Sequence, residues 1–150
     1  MENLRERVAV VTGGGGGLGR AMGERFAAEG MRVVLADVQA DLLETSVAEC
    51  RDRGLEVAGF VTDVTKQESV DALRDYTLNT YGSVHVVCNN AGIGAGAEGR
   101  MWEHELNDWK WAIAVNVMGV VHGINSFVPA MLEHGEPAHV VNTSSGNGGV

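Results

Sequence analysis

The segment Thr12-Gly13-Gly14-Gly15-Gly16-Gly17-Leu18-Gly19 follows directly on the apolar run Val8-Ala9-Val10-Val11, and a helix-forming segment starts near Arg20. A glycine loop between a buried strand and a helix is suited to holding a pyrophosphate. Glycines allow backbone angles and close approaches that a Cβ blocks, and the first-turn amides face the anion with the positive end of the helix dipole behind them. Two registers are open: Gly14, Gly16 and Gly19 fit Gly-x-Gly-x-x-Gly, whereas Thr12, Gly13, Gly17 and Gly19 fit Thr-Gly-x-x-x-Gly-x-Gly. A flexible connection with no ligand is the competing reading of the same glycines.

Two carboxylates close the next two strand-like runs. Asp37, eighteen residues beyond Gly19, suits an acid that accepts from both hydroxyls of an adenosine ribose, and it is equally a residue type found in turns and helix caps. Asp63, in Thr62-Asp63-Val64-Thr65, could accept from an adenine amino group, while Asp63 or Thr65 could instead cap the following helix. Asn116 interrupts the apolar stripe of a long helix, where Asn has poor propensity and a buried amide must find partners, either in a structural polar network or in chemistry. The pair Ser144-Ser145 follows the last strand, a position where serines also simply form turns. His85, His104, His122, His134 and His139 lack ligand spacing, so no metal is expected.

A regular alternation of elements has to position these groups. Period and punctuation predict strands at Val8 to Val11, Arg32 to Ala36, Glu56 to Thr62, Val84 to Cys88 and Ala138 to Val141. Helices are predicted at Arg20 to Glu29, Asp41 to Arg53, Gln67 to Tyr81 and Asn107 to Glu133, stopped by Gly30, Gly54, Gly82 and Gly135. A loose glycine-rich stretch runs from Ile93 to Gly99. Near-continuous apolar strands alternating with amphipathic helices specify an α/β fold, a three-layer doubly wound parallel sheet of the Rossmann type. Right-handed crossovers place strands one to three on one side and strands four and five on the other. The reversal falls beside strand one, where the glycine loop sits and where such sheets bind ligands.

At 150 residues, 45% apolar and 21% charged, the chain is one globular domain's worth of sequence, which the glycine loop leads us to expect is a dinucleotide-binding domain, incomplete over residues 1 to 150. A net charge of -9 without clustered Lys and Arg argues against nucleic-acid or anionic-membrane partners. The longest apolar stretches read as strand-sized or amphipathic rather than membrane-spanning, and Met1 to Arg7 lacks the apolar core of a secretion signal. Cys50 and Cys88 have no paired spacing, which favours buried reduced thiols and a cytoplasmic setting.

Taken in order, Thr12-Gly13-x-x-x-Gly17-Leu18-Gly19, Asp63-Val64, Asn89-Asn90-Ala91-Gly92, Asn116 in Val-Asn-Val-Met-Gly, and Val141-Asn142-Thr143-Ser144-Ser145 resemble the signatures of the short-chain dehydrogenase/reductases. The resemblance covers essentially the whole chain and favours the wider glycine register. It implies hydride transfer between NAD and a secondary alcohol or ketone, with Asn90, Ala91 and Gly92 along the cofactor. Ser145 would hydrogen-bond the substrate oxygen, and Asn116 would bend its helix and support a proton relay. It also implies a Tyr-x-x-x-Lys pair on a following helix, beyond Val150. The chain is therefore expected to be the amino-terminal part of a longer enzyme, inactive alone, and a homo-oligomer when full length. Tyr76 and Tyr81 have no Lys four residues on. Two rivals are an S-adenosylmethionine-dependent methyltransferase, disfavoured by Asn-Asn-Ala-Gly and the wide glycine spacing, and a non-catalytic dinucleotide sensor. Asp37 favours NAD over NADP, with Arg20 the only candidate compensating cation. The loop from Ile93 to Met101 is expected to line a substrate pocket with Met101 and Trp102. The long helix is expected to carry excess apolar surface at Trp109, Ile113, Val117, Val120, Val121, Ile124 and Phe127, with Val120 and Phe127 turned away from the sheet, so that the fragment self-associates.

Overall fold

A computed structural model describes residues 3–94 and 99–145. Five strands, β1 (Val8–Thr12), β2 (Arg32–Asp37), β3 (Val57–Val61), β4 (Val86–Asn89) and β5 (His139–Asn142), form one sheet in the order β3-β2-β1-β4-β5. Each pairing is parallel, with Val10 opposite Val34 on one side and Val87 on the other. The helices are α1 (Gly17–Ala28), α2 (Ala40–Asp52), α3 (Gln67–Tyr81), α4 (Leu106–Ile113) and α5 (Gly119–His134). The four glycines expected to stop helices, Gly30, Gly54, Gly82 and Gly135, all have positive φ, which a side chain would resist.

Alternation along the strands sends successive side chains to opposite faces and builds two cores. Ala9, Val11, Val33 and Leu35 pack with Leu43, Val47 and Cys50 of α2 and Ala27 of α1. Val10, Val34 and Val87 pack with Val70 and Leu73 of α3 and Phe127 and Met131 of α5. β1 is buried at every residue because it is central and covered on both faces. Each such Val or Leu side chain contributes about 1.5–3 kcal/mol by leaving water.

Four expectations need correction. α1 begins at Gly17 rather than Arg20, so Gly17, Leu18 and Gly19 are its first turn rather than a loop before it. The long helix is not regular: a π-helical segment, Ala114–Met118, separates α4 from α5. Phe127 is fully buried in the core under α5, on the same helix stripe as Gly119, Gly123 and Met131; Val120 is only partly exposed. The stripe that does face outward is Trp109, Ile113, Val117, Val121 and Ile124. Having apolar residues on both its sides, the continuous run Leu106–His134 is also long and apolar enough to cross a membrane by length and composition, which the sequence reading overlooked. Its inner face is nevertheless occupied by the sheet, as Phe127 and Met131 show.

At the sheet edge opposite the glycine loop, His85 is buried. Its Nδ1 accepts the Val8 amide at 3.0 Å, and its Nε2 lies 3.6 Å from the Glu136 carboxylate. Burial, with Arg7, His134 and Arg32 acting in the same direction, pushes its pKa from 6.5 down to about 4. The unfolded chain then binds more protons than the folded one between these values, so stability is full above pH 6.5 and falls as pH drops toward 4. The upper bound is about 3 kcal/mol at about 1.4 kcal/mol per unit. In urea unfolding, His85→Asn, whose Oδ1 can accept the Val8 amide, should show a shallower loss of stability from pH 7 to pH 5, by up to about one proton. Parallel slopes for the two proteins would contradict this.

Candidate active site

The site is organised by the end of β1. The Thr12 hydroxyl donates to the Cys88 carbonyl at 3.2 Å and accepts the amides of Asn90 at 3.0 Å and Ala91 at 3.1 Å. The Asn90 side chain donates to the Thr12 carbonyl at 2.9 Å and accepts from the Thr143 hydroxyl at 3.1 Å. Asn89 donates to the Asn142 side chain at 2.9 Å. The carboxyl ends of β1, β4 and β5 are thereby fixed to one another. Thr12 itself is buried beneath the loop rather than exposed to a ligand.

Gly13 of the loop and Gly17, the first residue of α1, have positive φ, +66° and +51°. A Cβ on Gly19 would lie 2.0 Å from the Gly13 carbonyl oxygen, and one on Gly13 would lie 2.9 Å from the Cα of Ala91. The register that works here is therefore Thr12, Gly13, Gly17 and Gly19. The first intrahelical bond runs from the Arg20 amide to the Gly16 carbonyl at 3.1 Å, which leaves the amides of Gly17, Leu18 and Gly19 without a helical acceptor. Space beside Gly17 is open. A dinucleotide pyrophosphate fits this cradle: three first-turn amides free of helical acceptors, open space beside Gly17, and the helix dipole behind them.

The cradle opens into a cleft of about 620 Å³. Gly13 lines it from the loop, Leu18 and Gly19 from the first turn of α1, Asp37 from β2, Asp63 and Val64 from beyond the end of β3, and Asn90, Ala91 and Gly92 from the end of β4. The Asp37 carboxylate is held at both oxygens, by the Gly15 amide at 3.0 Å on Oδ2 and the Gln39 amide at 3.0 Å on Oδ1. The residue that caps α2 is Gln39, not Asp37. Each Asp37 oxygen keeps a further lone pair for a ligand. Asp63 accepts the Thr65 amide at 3.0 Å and its hydroxyl at 2.6 Å, and pairs with Lys66 at 3.0 Å. The Thr65 hydroxyl, and after it Lys66, hold the Asp63 carboxyl below the usual range against partial burial. Trp111 and Val115, one helical turn apart, close the cleft from the α4 side. Sequence reasoning missed both, although their four-residue spacing on the Asn116 helix was the available signal.

A second cleft, about 490 Å³, shares Asn90, Ala91, Gly92 and Ile93 with the first and adds Asn116, Ser144 and Ser145. Both ends of the Asn116 amide engage one residue: Oδ1 accepts the Ile93 amide at 2.9 Å, and Nδ2 donates to the Ile93 carbonyl at 3.0 Å. The amide is satisfied as expected, but it is exposed rather than buried, because the π-helical segment carries it to the cleft rim. Of the loop expected to line a substrate pocket, residues 95–98 and the Met101 side chain lie outside the described residues. Trp102 is exposed under the Arg100 guanidinium, 5.6 Å from its ring centre, and lines neither cleft.

A doubly wound sheet with a glycine cradle at its switch point and a second cleft beside it is the architecture of nucleotide-binding α/β proteins. Residues 7–150 match the family model for short chain dehydrogenases, and the chain belongs to that family. It is 40% identical over 143 residues to 1-deoxy-11-beta-hydroxypentalenate dehydrogenase of Streptomyces exfoliatus, covering 95% of this chain and 52% of the relative. It is 30% identical over 145 residues to a CLA biosynthesis dehydrogenase/reductase of Lactiplantibacillus plantarum, covering 97% of this chain and 50% of the relative. A short chain dehydrogenase/reductase from Burkholderia phymatum, solved in complex with NAD, superposes with a TM-score of 0.93 at 49% identity, covering 97% of this chain and 51% of that one. The chain thus spans about half the length of the curated relatives it matches. Family membership sets aside the methyltransferase reading of the glycine loop.

The Gly13–Gly19 contact gives a direct test. Gly19→Ala places a methyl group on backbone that cannot yield locally, so we expect a loss of about 1–3 kcal/mol in stability and at least about tenfold in NADH affinity. Fluorescence titration and urea unfolding read the two effects, and unchanged NADH binding would show that the cradle is not the pyrophosphate site.

Proposed function

We propose that the protein is an NAD-dependent oxidoreductase acting on a secondary alcohol or ketone. The observation that carries this reading is the wall shared by the two clefts, Asn90, Ala91, Gly92 and Ile93, which puts Asp37 in one cleft and Ser145 in the other. The first-turn amides of α1 hold the pyrophosphate, Asp37 accepts from the ribose hydroxyls, and Asp63 and Val64 flank the adenine. NAD, when bound, supplies the hydride acceptor. Ser145 hydrogen-bonds the substrate oxygen, and Asn116 supports proton relay by fixing Ile93 and the π-helical segment beside it.

The proton-transfer pair is proposed to be a Tyr-x-x-x-Lys of the whole protein outside these 150 residues. Neither tyrosine of α3 suits the role: Tyr76 stacks on Phe60 with ring centres 4.8 Å apart, and burial pushes the Tyr81 phenol up, the opposite of what a base needs. The free, buried Cys50 and Cys88 support a cytoplasmic setting, and the exposed stripe on α4 and α5 supports homo-oligomer formation.

Whole-protein Ser145→Ala should lose about 10²-fold in kcat while binding NADH within about twofold of wild type. A wild-type protein that binds NADH tightly yet turns over no alcohol or ketone would favour the sensor reading instead.

Preference for NAD follows from charge. A 2′-phosphate about 4 Å from the Asp37 carboxylate is repelled by about 4 kcal/mol per unit charge at an effective dielectric near 20, before salt and relaxation reduce it. Arg20, the candidate compensating cation, is engaged by Glu24 at 2.8 Å and by Glu49. Wild type should therefore bind NADH at least about tenfold more tightly than NADPH, and Asp37→Ala should close the gap. Equal affinities in wild type would make Asp37 a turn residue only.

A further inference from the structure

Ser46 lies in the middle of α2, fully buried among Leu43, Val47 and Cys50. A helical serine ordinarily hydrogen-bonds the carbonyl one turn back on its own helix. This one instead donates to the carbonyl of Gly15, 2.7 Å away and thirty-one residues earlier in the chain. Gly15 is the residue whose amide holds Oδ2 of Asp37 at 3.0 Å. A Cβ on Gly15 would lie 2.9 Å from that same oxygen and 3.0 Å from Cγ, so the glycine lets the carboxylate rest directly on the loop backbone. Gly15 is thus clamped between a hydroxyl on its carbonyl side and a carboxylate on its amide side.

We infer that Ser46 is a positioning residue for cofactor choice: through Gly15 it fixes the Asp37 carboxylate where it accepts from the ribose of NAD and repels the 2′-phosphate of NADP. The inference rests on the reading of Asp37 as the ribose-binding acid. Ser46 does not line the cleft. Without its hydroxyl, the Gly15 carbonyl is left buried with no donor, and the loop gains reason to turn away from α2. The Gly15 amide then leaves Oδ2, while the Gln39 amide still holds Oδ1, so the loss is partial.

The test is fluorescence titration of NADH and NADPH against the purified whole protein carrying Ser46→Ala, Ser46→Cys, Gly15→Ala, Asp37→Ala or Ser46→Ala with Asp37→Ala. Ser46→Ala should weaken NADH about three- to tenfold and leave NADPH within about twofold, the size of one hydrogen bond's net contribution. Gly15→Ala, which pushes on the carboxylate from the other side of the relay, should narrow the NADH preference in the same direction. In the Asp37→Ala background, Ser46→Ala should change neither affinity, because the group it positions is gone. Equal weakening of both cofactors by Ser46→Ala, or the same loss with and without Asp37, would overturn the inference and leave Ser46 a structural residue. If Ser46→Ala does not fold, Ser46→Cys, which keeps the volume and donates weakly, decides by the same ratio. An Asp37→Ala protein that keeps the NADH preference would instead defeat the reading of Asp37, whatever Ser46 does.

Discussion

The Gly13 carbonyl oxygen lies 2.0 Å from where a Cβ on Gly19 would be, so α1 can start against the end of β1 only because that position has no side chain. This contact sets where the first-turn amides point and how close a ligand can come to them. The strand end itself cannot drift, because the Thr12 hydroxyl is bonded to three backbone groups on the β4 side. Loop, helix start and the Asn90 to Gly92 wall are consequently one rigid unit. β1 supplies the foundation, buried at every residue and paired on both edges.

Electrostatics around this unit are unusual for a site that would accept an anion. The protein carries a net charge of -9, the loop contributes no cation, and Arg20 is taken up by Glu24 and Glu49. Attraction for a pyrophosphate must come from oriented amides and the α1 dipole, which act within a turn of the helix end and do not extend into solvent. Such a design suits discrimination. A full positive charge near Asp37 would weaken the proposed preference for NAD, whereas neutral amides on both carboxylate oxygens fix the group and leave its charge in place.

The second cleft depends on irregularity rather than regularity. A straight α-helix through Asn116 would continue the phase of α4; the π-helical segment breaks it where Asn116 meets Ile93. Such a segment widens one turn at some cost in hydrogen-bond geometry. The two bonds between Asn116 and Ile93 help offset that cost. They also tie the helix to the chain leaving β4, so the wall shared by the two clefts is held from the helix side as well as from β1.

Much of this was legible in the sequence because it is local. Apolar runs of strand length, glycines after helical segments and the strand–glycine–helix junction each reflect neighbours within a turn or two, and they led to the correct strand order and crevice. Asp37 and Asp63 could be picked out because strand ends in such a sheet converge on one edge, whereas Asn90 and Ser145 were singled out by the resemblance to the short-chain dehydrogenase/reductases. What the tertiary structure alone decided concerns partners far apart in the chain. The Ser46 hydroxyl on Gly15, the Gly15 amide on Asp37 and the Asn116 amide on Ile93 join residues separated by 31, 22 and 23 positions. Periodicity carries no signal for such contacts: a serine inside an amphipathic helix looks the same whether it faces water or a buried carbonyl. The inward turn of Phe127 was hidden because α5 carries apolar residues on both its faces, so hydrophobic spacing alone does not say which of them meets the sheet.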